Sequence, residues 1–190
     1  MYTLFNKTTF EWKSADSIEG LSADWVVDPV FSNFQRANTL GPKYWTYSGN
    51  TINVLSDEEI DSNSTFLQEA KDVLKEKVNA YRDTYLFDYF VYDGKQWDCD
   101  QISRDNISGA NLMSVLNGGV LPPMEWRDYN NTNHAVTATY MGNMAATLMT
   151  FTSGVYTASW QHKTAIDALT TITAVNAYDY QSTLWPSRSI

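Results

Sequence analysis

Apolar residues in the first 55 positions fall into short aromatic clusters: Tyr2 to Trp12, Trp25 to Phe34 around Pro29, and Tyr44 to Leu55. No helical period runs through them. The last cluster predicts two short strands, Tyr44-Trp45-Thr46-Tyr47 and Thr51-Ile52-Asn53-Val54, joined by a turn at Ser48-Gly49-Asn50. The pattern then changes. Ser56-Asp57-Glu58-Glu59 fits a capping box, and Leu67, Ala70, Leu74, Val78, Tyr81 and Tyr85 recur at three and four, leaving Glu69, Asp72, Lys75 and Glu76 for solvent. An amphipathic helix is expected over 56–85.

Beyond it, Tyr85 to Tyr92 and Lys95 to Cys99 bracket Asp93-Gly94, the pair favoured in a two-residue type I′ hairpin turn. Ser103 is expected to cap a helix carrying Ile107, Ala110, Met113 and Leu116, which Gly118-Gly119 ends. Met124 to Tyr129, with Trp126, predicts a short strand or an extended arm, and Asn130 to Asn133 a turn, with His134 read as part of this polar turn region. Met141, Met144, Ala145, Leu148 and Phe151 predict a helix broken near Ser153-Gly154. A further helix presents Ile166, Leu169, Ile172 and Val175, before Leu184-Trp185-Pro186 ends the regular structure. The fold class expected is α+β: a β-rich N-terminal module over 1–55, a linking helix over 56–85, and a mixed C-terminal domain over 86–190 with a β-hairpin and three helices.

With 190 residues, 43% of them hydrophobic, the chain can bury a substantial core. Its formal charge of −9, with no run of Lys or Arg, argues against nucleic acid and anionic membrane surfaces as partners. No stretch approaches the roughly 20 apolar residues of a spanning helix. Met1 to Phe10 lacks the apolar run of a secretion signal, so export is not expected, and the four Asn-x-Ser/Thr triplets beginning at Asn6, Asn63, Asn106 and Asn130 carry no glycosylation reading. The single cysteine, Cys99, reads as a small buried hydrophobe. Charge is thin toward the C-terminus: from Tyr129 onward only Lys163, Asp167, Asp179 and Arg188 carry it.

Candidate chemistry is sparse. The two histidines, His134 and His162, accompany no Gly-x-Ser-x-Gly elbow, His-Glu-x-x-His, phosphate-binding loop or dinucleotide fingerprint. His162 reads as a hydrogen-bonded packing residue. Paired acids could run glycoside hydrolysis, and Asp98 and Asp100 alternate along the second hairpin strand and so point to the same face, within reach of a shared cation, but solvated or structural roles are commoner for such a pair. The acids of 57–61 suit a first helical turn without any ligand. The seven tryptophans are spread along the chain, which disfavours a single sugar-stacking platform. No catalytic, cofactor-binding or metal-ligating residue is expected, and no cofactor.

The order of elements from Arg82 to Pro186 carries a resemblance. Arg82-Asp83, the aromatic hairpin Phe90 to Asp100 with Trp97, Ser103 and Ile107 with Gly109-Ala110, and Trp126 with Asn131 follow one another. A helical region from Thr137 and a last helix His162-Lys163 to Ile166-Asp167-Ala168, ending in Trp185-Pro186, complete the series. Together they resemble a C-terminal domain of unknown function found in phage tail fibre and other tail-associated proteins. Lys43-Tyr44-Trp45 to Leu55, running into the acidic helix, is similar to the approach to such domains.

The resemblance implies a structural or host-attachment component of a tail fibre, baseplate or adaptor, assembled in the host cytoplasm and carried in the virion. The partners implied are other tail or fibre proteins, further copies of the chain, with a trimer the expected form, and host surface glycan. A cytoplasmic fibre-assembly chaperone is the rival reading, and a glycan-binding or glycan-degrading tail protein the third. Because interface cores are poor in charge and rich in Met and aromatics, Met141, Met144, Leu148, Met149 and Phe151 are the expected contact residues, with packing in the domain's own core as the competing role.

Overall fold

Short aromatic strands cut by turns cannot build one large sheet, and the N-terminal part of the chain makes two small ones. The computed structural model describes residues 1–182 and 184–188. Among these it is an α+β protein with six α-helices and ten strands, dividing into two compact units, Met1–Leu67 and Gln68–Ile190.

In the first unit β1 (Tyr2–Asn6) lies between β2 (Trp12–Ala15) and β3 (Trp25–Val27), antiparallel to both. A second sheet pairs β4 (Val30–Phe31), β6 (Thr51–Val54) and β5 (Trp45–Ser48) in that order. The expected hairpin is present: Ser48 faces Thr51 across Gly49-Asn50, and Gly49 takes a φ of 60° that a glycine adopts without a Cβ clash. Phe5 joins the two sheets, its ring 4.8 Å from Trp12 and 5.4 Å from Trp45. One helix escapes the periodicity analysis, α1 (Phe34–Leu40), too short and too polar to show a stripe. Asn33 caps it by accepting from the Arg36 amide.

The capping box forms as expected, Ser56 accepting from the Glu59 amide and the Glu59 carboxylate from the Ser56 amide, and it starts α2 (Asp57–Ser62). The helix expected to continue from there is broken at Asn63, whose backbone is extended and whose side-chain oxygen accepts from the Thr65 and Phe66 amides. This second cap launches α3 (Ser64–Leu86). Leu74, Val78 and Leu86 are buried on it, and so is Lys71, whose Nζ donates to the Asp167 carbonyl. Lys75, expected in solvent, is partly covered and paired with the Asp167 carboxylate.

Tyr89–Tyr92 (β7) and Lys95–Asp98 (β8) form the predicted hairpin, with Asp93 at φ 53° and Gly94 at φ 67° as a type I′ turn requires. Tyr85, which fitted both the helical stripe and the first strand, belongs to α3, and Leu86, expected in the strand, closes that helix. The next helix, α4 (Gln101–Leu116), is capped by Asp100, not Ser103: the Ser103 amide donates to the Asp100 carboxylate at 2.7 Å. It stops before Gly118 and Gly119, both at positive φ. Met124–Arg127 is a strand (β9), as expected, but Asn133–Val136 is a second one (β10) pairing with it, so His134 lies in a strand opposite Trp126.

The largest departure is α5 (Ala138–Asp167), which runs 30 residues straight through Ser153-Gly154. Gly154 is a point of close approach: a Cβ there would stand 2.8 Å from Cγ of Pro186. Ile166 is buried in the last turn of α5, whereas Ile172 and Val175 sit on the separate α6 (Ile172–Ala177). The core of this unit gathers Leu86, Phe90, Trp97, Cys99, Ile107 and Val136 around the α5 row Met141, Met144, Leu148, Phe151 and Val155.

Gly94→Val places a β-branched side chain at positive φ and should destabilise the second unit by about 1 kcal/mol or more. Thermal melting checks this, an unchanged midpoint being the contrary result.

Candidate functional site

The hairpin β9–β10 is organised by one carboxylate. Asp128, nearly fully buried, accepts through Oδ1 from the backbone amides of Asn130 and Thr132, both at 2.9 Å, which lets Asn131 adopt a φ of 64°. Its Oδ2 lies 2.8 Å from His134 Nε2. An ionised carboxylate only accepts, so Nε2 carries the proton and donates. The hydrogen bond from His134, followed by the backbone amides, holds the Asp128 carboxyl below its ordinary value. The imidazole meets Trp97 edge-on at 5.5 Å, and Trp97, fully buried, donates through Nε1 to the Tyr92 carbonyl. At the other end of the hairpin Tyr140 donates to Asp93, and burial, then the Asp93 charge, pushes its hydroxyl up to about 12. His134 and Asp128 resemble the orienting half of a catalytic triad, yet among the described residues no Ser, Thr or Cys side chain is hydrogen-bonded to this histidine.

The paired carboxylates take different duties. Asp100 is the cap of α4. Asp98 remains on β8, its carboxyl pushed up by burial and then by the charges of Asp100 and Asp128. Among the described residues no group of three His, Cys, Asp or Glu could hold a metal ion, and no helix is long and apolar enough to cross a membrane. Cys99 is fully buried, and loss of hydration raises its thiol to about 11. His162 is buried, shares a 2.9 Å hydrogen bond with the Tyr178 hydroxyl and stacks on Trp185, the packing role read from the sequence.

The expected contact residues separate cleanly. Met141, Met144, Leu148 and Phe151 are buried in the unit's own core, which removes them from any outer surface, while Met149 is 67% exposed. The thinness of charge that singled out this region is nevertheless a property of the surface: from Thr139 to Trp160 the exposed positions of α5, Thr139, Asn143, Thr150, Ser153, Thr157 and Trp160 among them, carry no ionisable group, and the exposed Asp167 comes only at the end of the helix.

A more apolar face, which the sequence reading did not single out, lies at the end of α4. Its pattern there is inverted. Ser114 is buried, whereas Leu112, Met113, Val115 and Leu116 are exposed, Leu116 at 75%, and Val120 beyond the double glycine is exposed with them. Next to this face a shallow groove between α4 and β9 is lined by Gly109, Ala110, Met113, Leu121, Met124 and Trp126, with Asp105 and Asn106 at its polar end. Contiguous exposed apolar residues of this kind mark contact surfaces. A possible signal in the sequence was the run Leu112 to Leu116, where four apolar residues around one serine cannot all share one helical face. The exposed tryptophans, Trp12 and Trp160, belong to different units.

In comparisons with known proteins, the sequence model of the family described as "Domain of unknown function (DUF4376)" matches residues 69–182, more than half of the chain. No curated protein and no solved structure matches.

Asp128→Asn keeps an acceptor for the two amides but loses the charge that faces His134. A carboxyl whose value is lowered by folding stabilises the protein above its unfolded value, and that contribution disappears as the pH falls through the folded one. The variant should be less stable than the wild type at neutral pH, and the difference should shrink as the solution is acidified below the carboxylate range. Denaturant midpoints measured across that pH series check both parts.

Proposed function

The chain belongs to the DUF4376 family, and we propose that it is a structural or host-attachment component of a phage tail that works through protein–protein contacts. The observation carrying the mode of action is the apolar face at the end of α4, with Leu112, Met113, Val115, Leu116 and Val120 turned outward. Single exposed apolar side chains are ordinary, but five within nine positions, with no charged residue among them, cost solubility unless something covers them. The tail assignment itself draws on the order of elements from Arg82 to Pro186.

A second copy of the chain is the occupant proposed for this face. Copies that each carry −9 repel one another. They can meet only where charge is thin, and the α4 terminus and the outer side of α5 are such places. A trimer, the common symmetry of tail appendages, is the form expected. Asp100 is occupied in capping α4, Asp128 and His134 in the β9–β10 turn and His162 in packing, which leaves the glycan-degrading alternative without an assembled carboxylate pair to support it.

Mass spectrometry of purified particles tests the tail assignment. Presence in the virion is expected, while abundance in infected cells with absence from particles would favour the assembly-chaperone reading. Sedimentation of the purified chain tests the contact. A mass above the monomer is expected, and Leu112→Glu with Leu116→Glu should return it to the monomer with unchanged helical circular dichroism. A wild-type chain that stays monomeric at all concentrations would remove the self-association.

A further inference from the structure

The last described residues of the second unit, Leu184 to Arg188, have no regular secondary structure and are held almost wholly by side chains. Trp185 packs against Tyr81 and Tyr85 at 5.2 and 5.6 Å and donates through Nε1 to the Tyr180 carbonyl. Pro186 lies over Gly154 and accepts from the Tyr85 hydroxyl at 2.6 Å. Arg188 then enters a three-sided aromatic site: its guanidinium carbon is 3.9 Å from the ring centre of Tyr85, 4.6 Å from Tyr89 and 5.4 Å from Phe151. One terminal nitrogen donates to Asp88 Oδ2 at 2.9 Å and the other to the Tyr85 carbonyl.

This arrangement discriminates among cations. Stacked rings accept the flat faces of a guanidinium, and a carboxylate and a carbonyl at its edge accept two diverging N–H groups. A tetrahedral ammonium presents neither a plane nor a fork. The site is also built without its arginine. Tyr85 is fixed by α3, Tyr89 by β7 and Phe151 by the core of α5, and Asp88 is already oriented by the Tyr129 hydroxyl, which donates to its Oδ1 at 3.1 Å. The fit of Arg188 is incomplete, since its Nε is buried without a hydrogen-bond partner among the described residues. An unsatisfied buried donor weakens retention of the group that carries it.

We propose that Tyr85, Tyr89, Phe151 and Asp88 form a guanidinium-binding cage for the arginine of a Trp-Pro-x-Arg segment, occupied in cis by Arg188 and open to an arginine presented by another chain. The cage does not rest on the tail assignment or on the α4 face. It gives the chain a second, peptide-directed way to join a partner, in which the partner's arginine replaces its own.

The full-length Arg188→Ala variant tests this by chemical complementation. The substitution should lower the melting temperature, and N-acetylarginine amide at concentrations on the order of 1 to 10 mM should raise it again by mass action, with N-acetyllysine amide ineffective. The same addition should leave the wild type unmoved, and Asp88→Asn combined with Arg188→Ala should not respond. If the alanine variant does not fold, Arg188→Lys, which keeps the stem and the charge, is titrated in its place. A variant that melts like the wild type, a failure of the arginine amide to restore stability, an equal effect of the lysine amide, or a response that survives loss of the Asp88 charge would each overturn the cage.

Discussion

Burial of the α5 row Met141, Met144, Leu148, Phe151 and Val155 is the interaction on which the second unit depends. A two-stranded hairpin is at best marginally stable in water, and the unit contains two of them, β7–β8 and β9–β10. Each is given a hydrophobic floor by this helix, with Phe90 and Trp97 from one hairpin and Val136 from the other in the same cluster. At about 1.5–3 kcal/mol for each large apolar side chain removed from water, the five residues of the row make a substantial favourable contribution to the unit's packing. Of α4, only Ile107 and Ser114 are buried outright, and Ile107 joins the same cluster.

How much could be read from the sequence follows the distance over which each determinant acts. The Asp93-Gly94 turn, the Ser48-Gly49-Asn50 turn, the Ser56 capping box and the stop at Gly118-Gly119 are fixed by residues within about four positions of one another, and all four form as read. Asp100 is also local, but it competes with Ser103, which fits a cap equally well on paper, and only backbone geometry chooses between them; the second cap at Asn63 went unread because the Ser56 box already starts a helix whose stripe continues past it. Gly154 was misread because its meaning is supplied 32 positions later, at Pro186. Lys71 and Lys75 follow the same rule: a charged helical face normally reads as solvent, and here the carbonyl and carboxylate of Asp167, far along the chain, cover it.

The functional residues divide the same way. His162 was recognisable as a packing residue from its place on an apolar stripe. His134 was not, because β10 is short, polar and identifiable only through its partner β9. Met141, Met144, Leu148 and Phe151 illustrate a general ambiguity, since the composition of an interface core and of a domain core is the same and burial within one chain decides between them. The charge-poor surface that pointed to them survives that reassignment along the exposed positions of α5 from Thr139 to Trp160.

The sealed position of Cys99 has a practical consequence. A thiol fully buried between the hairpin strand β8 and the cap of α4, with its ionisation pushed up to about 11, is almost entirely protonated and out of reach of alkylating reagents while the fold is closed. Labelling of the native protein is therefore limited by how often the second unit opens, and the single thiol becomes a built-in clock for those openings. Its rate at low reagent concentration reads the free energy of the opening that exposes Cys99, local or global, with no need for a probe to be introduced.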